Sequence, residues 1–101
     1  MKLIVAVIRP ARLEPVKEAL AEVEVFRLTV ADVQAVLPNA QLAPRVRLEV
    51  AVNDAFVEPT VRAIVASART DDPGPGDGGV FILPLADVVR VRTGERGAEA
   101  V

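Results

Sequence analysis

The first residues of the chain follow the two-residue period of a β-strand. Residues 2–9 alternate between two faces, and both faces are apolar. The apolar side chains are Leu3, Val5 and Val7 on one face and Ile4, Ala6 and Ile8 on the other. Successive side chains of a strand point to opposite faces, so this pattern predicts a strand that is covered on both sides.

After Pro10 the pattern changes to a helical period. The predicted apolar stripe consists of Leu13, Val16, Leu20 and Val23. Pro15 fits the first turn, where the N–H groups have no partner within the helix. Residues 25–36 predict a second extended segment, and the prolines of residues 37–44 predict a loop.

The second half of the chain repeats this order. Residues 46–52 alternate as a third strand, and Asn53 or Asp54 is a candidate cap for a second helix. The stripe of that helix consists of Val57, Val61, Ile64, Val65 and Ala68. Further on, the pattern predicts a glycine-rich loop over 71–79, a fourth strand over 80–85, a short fifth over 88–92 and a tail from Thr93.

Two β-α-β units in sequence predict the α+β class. We expect a ferredoxin-like βαββαβ sandwich, in which a four-stranded antiparallel sheet carries two helices on one face. The other face is then uncovered, although burial of apolar area contributes about 25 cal/mol per Å². Sister chains would supply the missing layer, so the pattern predicts a homo-oligomer.

The composition and net charge of the chain exclude several classes of function. A chain of 101 residues is long enough for one domain, and it contains no cysteine and no histidine, which removes thiol chemistry and the commonest general base. A net charge of −2 argues against nucleic-acid binding. The apolar run at residues 3–8 is too short to span a membrane or to form a signal peptide. We expect a cytoplasmic protein that does not insert into membranes and is not an enzyme, since no catalytic set stands out.

Two longer motifs resemble the PII family of nitrogen-regulatory signal proteins. The first is the opening MKLIVAVIRP at residues 1–10. The second is GDGGVFI at 76–82 followed by RVRTGE at 90–95. The resemblance implies one PII-like domain over 1–101 that forms a homotrimer, with a shortened T-loop at about 35–44, a B-loop at about 71–79 and a tail at 93–101.

The resemblance also implies a regulatory ligand and a regulated partner. Clefts between subunits of the family bind ATP or ADP, and the T-loop reports nucleotide and 2-oxoglutarate status to transporters, enzymes or other proteins. The positions that match nucleotide-binding positions of the family are Thr29, Ala51, Gly76, Asp77, Gly78, Gly79, Arg90 and Arg92. Arg45 stands where the family has a lysine associated with 2-oxoglutarate.

The chain departs from the family pattern at three places. Gly79 replaces the lysine that ends the B-loop motif, so a phosphate-directed cation is missing. The T-loop is reduced to a stub and lacks the glutamine that helps to hold Mg²⁺ and 2-oxoglutarate. No tyrosine is present and the only serine, Ser67, falls on a predicted helix, which excludes the modifications of the T-loop.

Simpler interpretations of the same residues stay open. The glycine-rich loop is either an anion cradle or a plain connector. Arg90 and Arg92, two apart on the predicted fifth strand, either face phosphate or pair with Glu95 or Asp87. The loop aspartates are better explained as turn formers than as metal ligands.

The leading hypothesis is a non-catalytic sensor of adenine nucleotides that regulates a partner protein. The partner is a transporter, an enzyme or another PII subunit. Without the lysine, binding of AMP, ADP or ATP should be weaker than in the family, with ADP or AMP favoured. The alternative is a structural trimeric module that has lost the nucleotide, either partnering PII subunits or similar to the copper-tolerance CutA proteins.

Overall fold

The computed structural model describes residues 1–72 and 76–101. Residues 73–75, part of the glycine-rich loop predicted over 71–79, lie outside the described residues. The described chain contains four strands, two α-helices and two short 3-10 helices. In chain order these are β1 (Lys2–Ile8), a 3-10 helix (Pro10–Arg12), α1 (Leu13–Glu22), β2 (Thr29–Val36), β3 (Leu42–Val52), α2 (Asp54–Ala68), β4 (Gly79–Pro84) and a 3-10 helix (Gly97–Ala100).

The sheet confirms the predicted ferredoxin-like α+β fold. Its strand order is β2-β3-β1-β4, and each neighbouring pair is antiparallel. Ala6, in the middle of β1, lies opposite Leu48 of β3 and Val80 of β4. The two central strands are therefore β1 and β3, and β2 and β4 form the edges.

The core lies between the two helices and one face of the sheet. Alternate residues of β1 and β3 point into it, as their two-residue period requires. The largest fully buried side chains are Ile4, Ile8, Leu20, Leu48, Ile64, Val16 and Thr60. Each large aliphatic side chain buried in this way contributes about 1.5–3 kcal/mol, so the core fixes the register of both central strands.

The opposite face of the sheet is apolar and open to solvent. Leu3 and Val5 project from this face, and Leu83 and Phe81 of β4 lie opposite them. Phe81 is 56% exposed and Leu83 is 43% exposed. A cluster of apolar side chains of this kind is typical of a surface that contacts another protein.

β2 and β3 form a hairpin that ends in a tight turn. The backbone N–H of Leu37 donates to the carbonyl of Gln41 at 2.8 Å, and Ala40 takes a positive φ of 65°. Because β3 begins at Leu42, it includes the end of the loop predicted over 37–44. The connection between the strands is thus shorter than the sequence indicates.

The extended segment predicted over 25–36 begins later than expected. The backbone N–H of Val25 donates to the carbonyl of Leu20 at 2.9 Å, and Glu24 has a positive φ of 64°. These contacts continue the turn that ends α1. The strand therefore starts at Thr29.

The fifth strand predicted over 88–92 is not formed. Val89 makes one isolated bridge to Arg96, and the N–H of Gly94 donates to the carbonyl of Arg90 at 2.8 Å. The N–H of Gly97 donates to the carbonyl of Val88 at 3.0 Å, so the segment pairs with the chain that follows it and not with the sheet. The turn covers residues 91–93, and Gly94 takes a positive φ of 75° that allows the chain to reverse there.

The cap residue of α2 is one of the two predicted, although its side chain makes no capping bond. Asn53 occupies the cap position, but its side-chain amide donates to the carbonyl of Ala98 at 3.1 Å and makes no capping bond. Asp54 instead accepts from the N-terminal ammonium at 2.8 Å. Pro59 lies inside the helix, five residues after its first residue, Asp54.

None of the helices in the described part of the chain is both long and apolar enough to cross a membrane.

Candidate functional site

The glycine-rich segment before β4 is packed directly against β1. Gly78 has a φ of +96°, and a Cβ at this position would lie 1.7 Å from the carbonyl oxygen of Val7. Gly76 has a φ of +103°. Gly79 begins β4 opposite Val7. Position 78 therefore requires glycine for two reasons, its conformation and the close approach of the two backbones.

Asp77 is held by contacts within the chain. Its carboxylate accepts hydrogen bonds from the backbone N–H of Thr70 at 2.8 Å and from the Thr70 hydroxyl at 2.5 Å. The Nε of Arg9 donates to it at 3.2 Å. The Thr70 hydrogen bonds, followed by the guanidinium of Arg9, hold the pKa of Asp77 below its ordinary value of 3.8.

Arg9 connects the end of β1 to this segment. Its Nη1 also donates to the carboxylate of Asp72 at 3.0 Å, and its side chain is 18% exposed. The sequence gives no signal of the contact between Arg9 and Asp77, because the two residues are 68 positions apart and follow no common period. Arg9 and Thr70 are thus the site residues that sequence reasoning missed.

Thr29 and Ala51 lie near each other at the other end of the sheet. Thr29 is paired with Glu49 of β3, and Ala51 is two residues further along that strand. Ala51 lines a cavity of about 230 Å³ between the end of β3, the start of α2 and the end of the chain. The cavity is also lined by Phe26 and Phe56, two of the three aromatic residues of the chain.

Arg90 lies in a turn beside the C-terminal residues. Its backbone N–H donates to the carbonyl of Glu95 at 2.9 Å, and its Nε donates to the carbonyl of Ala100 at 3.4 Å. Val101, the next residue, lines the cavity that contains Ala51. Arg90 is therefore on the same side of the molecule as Thr29 and Ala51.

The expected strand face for Arg90 and Arg92 is absent, since both belong to the turn region that replaces the predicted fifth strand. Arg92 is exposed. The expected partner Asp87 is instead bound by Arg96, whose Nε donates at 2.8 Å. The hydrogen bonds from Arg96, then that from the N–H of Val88, lower the pKa of Asp87.

Arg45 lies at the glycine-rich end of the sheet. It precedes Val46, which pairs with Ile8 at the end of β1, and it is only 8% exposed. Its Nη1 donates to the carbonyl of Pro44 at 2.7 Å. Arg45 is thus nearer to the glycine segment than to Ala51.

Within one chain, the predicted site residues lie in two separate groups. We call Thr29, Ala51 and Arg90 the Ala51 group, and Gly76, Gly78 and Gly79 the glycine group. Ala51 pairs with Leu3 on one flank of β1, whereas Gly79 pairs with Val7 on the other flank. Strand spacing and rise place these two positions about 16 Å apart. The two groups therefore do not form one cleft within a single chain.

Within residues 1–72 and 76–101, no cluster of three or more acidic residues is arranged to hold a metal ion.

Comparisons with known proteins all point to one family. The model of the family "Nitrogen regulatory protein P-II" matches residues 1–95. The chain is 42% identical to nitrogen regulatory protein GlnK1 of Methanosarcina mazei, over 100% of this chain and 97% of that protein. It is 37% identical to nitrogen regulatory protein P-II of Azospirillum brasilense, over the whole of both chains. The crystal structure of Arabidopsis thaliana PII bound to citrate covers 99% of this chain and 91% of its own, with a TM-score of 0.90 and 37% identity.

Proposed function

Because the chain belongs to the nitrogen regulatory protein P-II family, we propose that it is a non-catalytic signal-transduction protein that senses an adenine nucleotide. The nucleotide binds between subunits of a homotrimer in the cytoplasm, and its presence changes the affinity for a regulated partner protein. The family membership rests on residues 1–95. The ligand and the assembly are our proposal.

One observation supports a site between protomers above all others. Ala51 of the Ala51 group and Gly79 of the glycine group lie about 16 Å apart on opposite flanks of β1, as strand spacing and rise require. If the flank that carries Ala51 in one protomer faces the flank that carries Gly79 in the next, the two groups meet across the interface. A nucleotide then contacts both, and it is bound only by the assembled protein.

The open face of the sheet supports the homotrimer. Leu3, Val5, Phe81 and Leu83 give it an apolar surface. Burial of such a surface contributes about 25 cal/mol per Å², so a face of several hundred Å² stabilises the assembly by several kcal/mol. We propose that sister chains cover this face and at the same time bring the two groups of site residues together.

The two groups together offer chemistry that suits both ends of a nucleotide. The backbone N–H groups next to Gly76 are the ones we expect an anion to contact, since among the described residues no atom lies within 4 Å of the space that a Cβ would fill there. Arg90 adds a guanidinium, which binds phosphate through paired hydrogen bonds. Thr29 and the backbone of Ala51 are the residues that we assign to the adenine base. We expect weaker binding than in other members, because Gly79 supplies no ammonium group.

The hairpin turn is the part where we expect this chain to differ most from its relatives. The alignment to the Methanosarcina protein runs over 114 positions, 13 more than this chain has residues. We propose that most of this difference falls at the turn over residues 37–41, where the family has its T-loop. The regulated partner would then contact another surface, and Arg45 would be left as the one candidate for a small acid such as 2-oxoglutarate.

Calorimetric titration with ADP tests the proposed site. We expect the wild-type protein to bind one ADP per protomer, and the double variant Arg90→Ala, Arg92→Ala to lose most of this affinity. The matched control is Arg62→Ala, which removes an exposed arginine of α2 that bonds the carbonyl of Glu58. Equal affinity in the double variant and the wild type would show that the assignment of the arginines is wrong.

Sedimentation tests the assembly independently of the ligand. We expect a trimer at micromolar concentration. A stable single protomer at that concentration would contradict the proposal, because the two groups of residues would then never meet.

A structural module without a ligand is the second candidate. It is favoured by one observation, that the guanidinium of Arg9 beside the glycine segment is already paired with Asp77 and Asp72. A thermal-shift series with AMP, ADP and ATP separates the two candidates. A ligand at 100 times its Kd stabilises the native state by about 2.7 kcal/mol, whereas a structural module gives a flat response to all three.

A further inference from the structure

Asp77 stands between two glycines that both take left-handed backbone conformations. The φ angles are +103° at Gly76 and +96° at Gly78. Glycine loses more conformational freedom on folding than any other residue. A segment of this kind keeps one conformation only where neighbouring contacts hold it.

Both oxygens of the Asp77 carboxylate are engaged by the chain itself. Oδ1 accepts from the hydroxyl of Thr70 at 2.5 Å and from Nε of Arg9 at 3.2 Å. Oδ2 accepts from the backbone N–H of Thr70 at 2.8 Å. Thr70 follows the end of α2, and Arg9 follows the end of β1. The carboxylate therefore joins two elements of the core to the glycine segment.

We propose that Asp77 is a positioning residue, whose carboxylate clasps Thr70 and Arg9 and so holds the backbone N–H groups of the glycine group ready for a phosphate. This inference rests on the proposed function for its ligand. It changes the role that the resemblance to the family implies for Asp77, from a residue that touches the nucleotide to one that acts through Gly76 and Gly78.

The charge of Asp77 separates the two roles. A carboxylate that faced the phosphates would repel them, so its removal would strengthen the binding of ADP. A carboxylate that acts as a clasp favours binding because it fixes the backbone conformation of the glycine segment. Its removal therefore weakens the binding of ADP. The two roles therefore predict changes in affinity of opposite sign.

Three variants probe the clasp. Asp77→Ala removes every contact of the carboxylate, and Asp77→Asn keeps one acceptor oxygen for Thr70 but removes the charge. Thr70→Val removes the hydroxyl and preserves the shape of the side chain and the backbone N–H. Asp71→Asn is the matched control, because it removes one negative charge from the same segment.

The first measurement is calorimetric titration of ADP and of adenosine in the presence of EDTA, so that no divalent cation contributes. We expect Asp77→Ala to weaken ADP about ten- to a hundredfold, the usual effect of losing hydrogen bonds to a charged group. Asp77→Asn should recover part of that loss, and Thr70→Val should weaken ADP by a smaller factor. Adenosine, which has no phosphate, should bind all variants like the wild type, and Asp71→Asn should stay within about threefold for both ligands.

The second measurement is amide hydrogen exchange at Gly76 and Gly78 without ligand, followed by NMR. We expect faster exchange in Asp77→Ala and Thr70→Val and wild-type exchange in Asp71→Asn. Tighter or unchanged ADP binding in Asp77→Ala overturns the proposal, as does an equal loss of adenosine binding. If the wild-type protein binds neither ADP nor adenosine, the proposed function fails. The clasp is then tested by amide exchange alone: faster exchange at Gly76 and Gly78 in Asp77→Ala supports it, and unchanged exchange overturns it.

Discussion

The guanidinium of Arg12 donates two hydrogen bonds to the backbone carbonyl oxygen of Ser67, from Nε at 2.9 Å and from Nη2 at 2.6 Å. Ser67 belongs to the last turn of α2, where carbonyl groups have no partner within the helix. A cation at this end also interacts favourably with the helix dipole. Arg12 therefore ties the start of α1 to the end of α2.

Replacement of Arg12 should lower stability. We expect Arg12→Ala to reduce the free energy of unfolding by about 1.5–3 kcal/mol, the range for hydrogen bonds to a charged group. Urea denaturation measures this as a lower midpoint. The control is Lys17→Ala, which removes an exposed ion pair to Glu14 and should cost less than about 1 kcal/mol. Similar midpoints for the two variants would contradict the capping role.

The close contact between Gly78 and Val7 predicts a strong effect of a single methyl group. In Gly78→Ala the new Cβ would meet the carbonyl oxygen at 1.7 Å, so the backbone must shift. We expect a loss of about 3 kcal/mol or more in thermal unfolding, at the upper end of ordinary point mutations. Gly94→Ala is the control, since the φ of Gly94 is +75° but no atom of residues 1–72 or 76–101 lies within 4 Å of the position that a new Cβ would take. There only the conformational cost of about 1–2 kcal/mol should remain.

A lysine at position 79 should strengthen nucleotide binding if the proposed site is right. A Cβ at Gly79 would lie 3.5 Å from the ring of Phe81, which is an ordinary contact, and the position has no positive φ. We therefore expect Gly79→Lys to fold normally and to bind ADP about ten- to a hundredfold more tightly. Gly79→Gln has a side chain of similar length without the charge and should show little gain. A gain of the same size in both variants would show that charge is not the cause.

The hydroxyl of Thr60 is buried in the core without a hydrogen-bond partner among the described residues. Thr60→Val replaces it with a methyl group of similar shape. We expect an increase of about 1 kcal/mol in the free energy of unfolding, because the cost of the unpaired polar atom disappears. Thr60→Ser keeps the hydroxyl and loses the methyl group, so it should be destabilising. A less stable Thr60→Val protein would contradict this account.

Stability should fall in acid because of three carboxylates. The pKa values of Asp54, Asp77 and Asp87 are lowered, mainly by hydrogen bonds from the N-terminal ammonium, Thr70 and Arg96 respectively. A group whose pKa is lowered on folding stabilises the protein above its unfolded pKa of 3.8 and loses this effect as the pH falls through the folded value. We expect denaturation midpoints that are level between pH 5 and 7 and decline below about pH 4.

Substitution of one carboxylate isolates its share of this decline. In Asp77→Asn the contribution of that residue is absent at every pH, so the profile should be lower at neutral pH and flatter in acid. A profile parallel to that of the wild type would show that the contacts of Asp77 do not stabilise the folded state.

The fold was predictable wherever apolar residues recur at the period of a strand or a helix and their side chains are buried. The alternation in β1 and the stripe through Val16 and Leu20 of α1 are local patterns, and both elements occur as predicted. The segment around Val89 has a similar alternation, yet it makes only an isolated bridge to Arg96 and joins no sheet. The chain reverses over residues 91–93, next to the positive φ of Gly94, which leaves too few residues in line for a strand.

The site was predictable only as a set of positions. Their division into two groups depends on strand order and register, which place Ala51 and Gly79 on opposite flanks of β1. The partners of Asp77 were not predictable, because Arg9 and Thr70 are brought to it by the packing of β1 and α2. No local pattern in the sequence predicts how β1 and α2 pack against each other.

The division of the site residues between the two flanks of β1 has a consequence for how binding depends on the concentration of the protein. A binding pocket completed only when chains associate does not exist in a dilute solution of separate chains. If the proposed site between chains is right, the amount of nucleotide bound would depend on how much of the protein the cell makes, as well as on how much nucleotide is present. Expression level would set the threshold of such a sensor, and a fall in expression would silence it without any change in its residues.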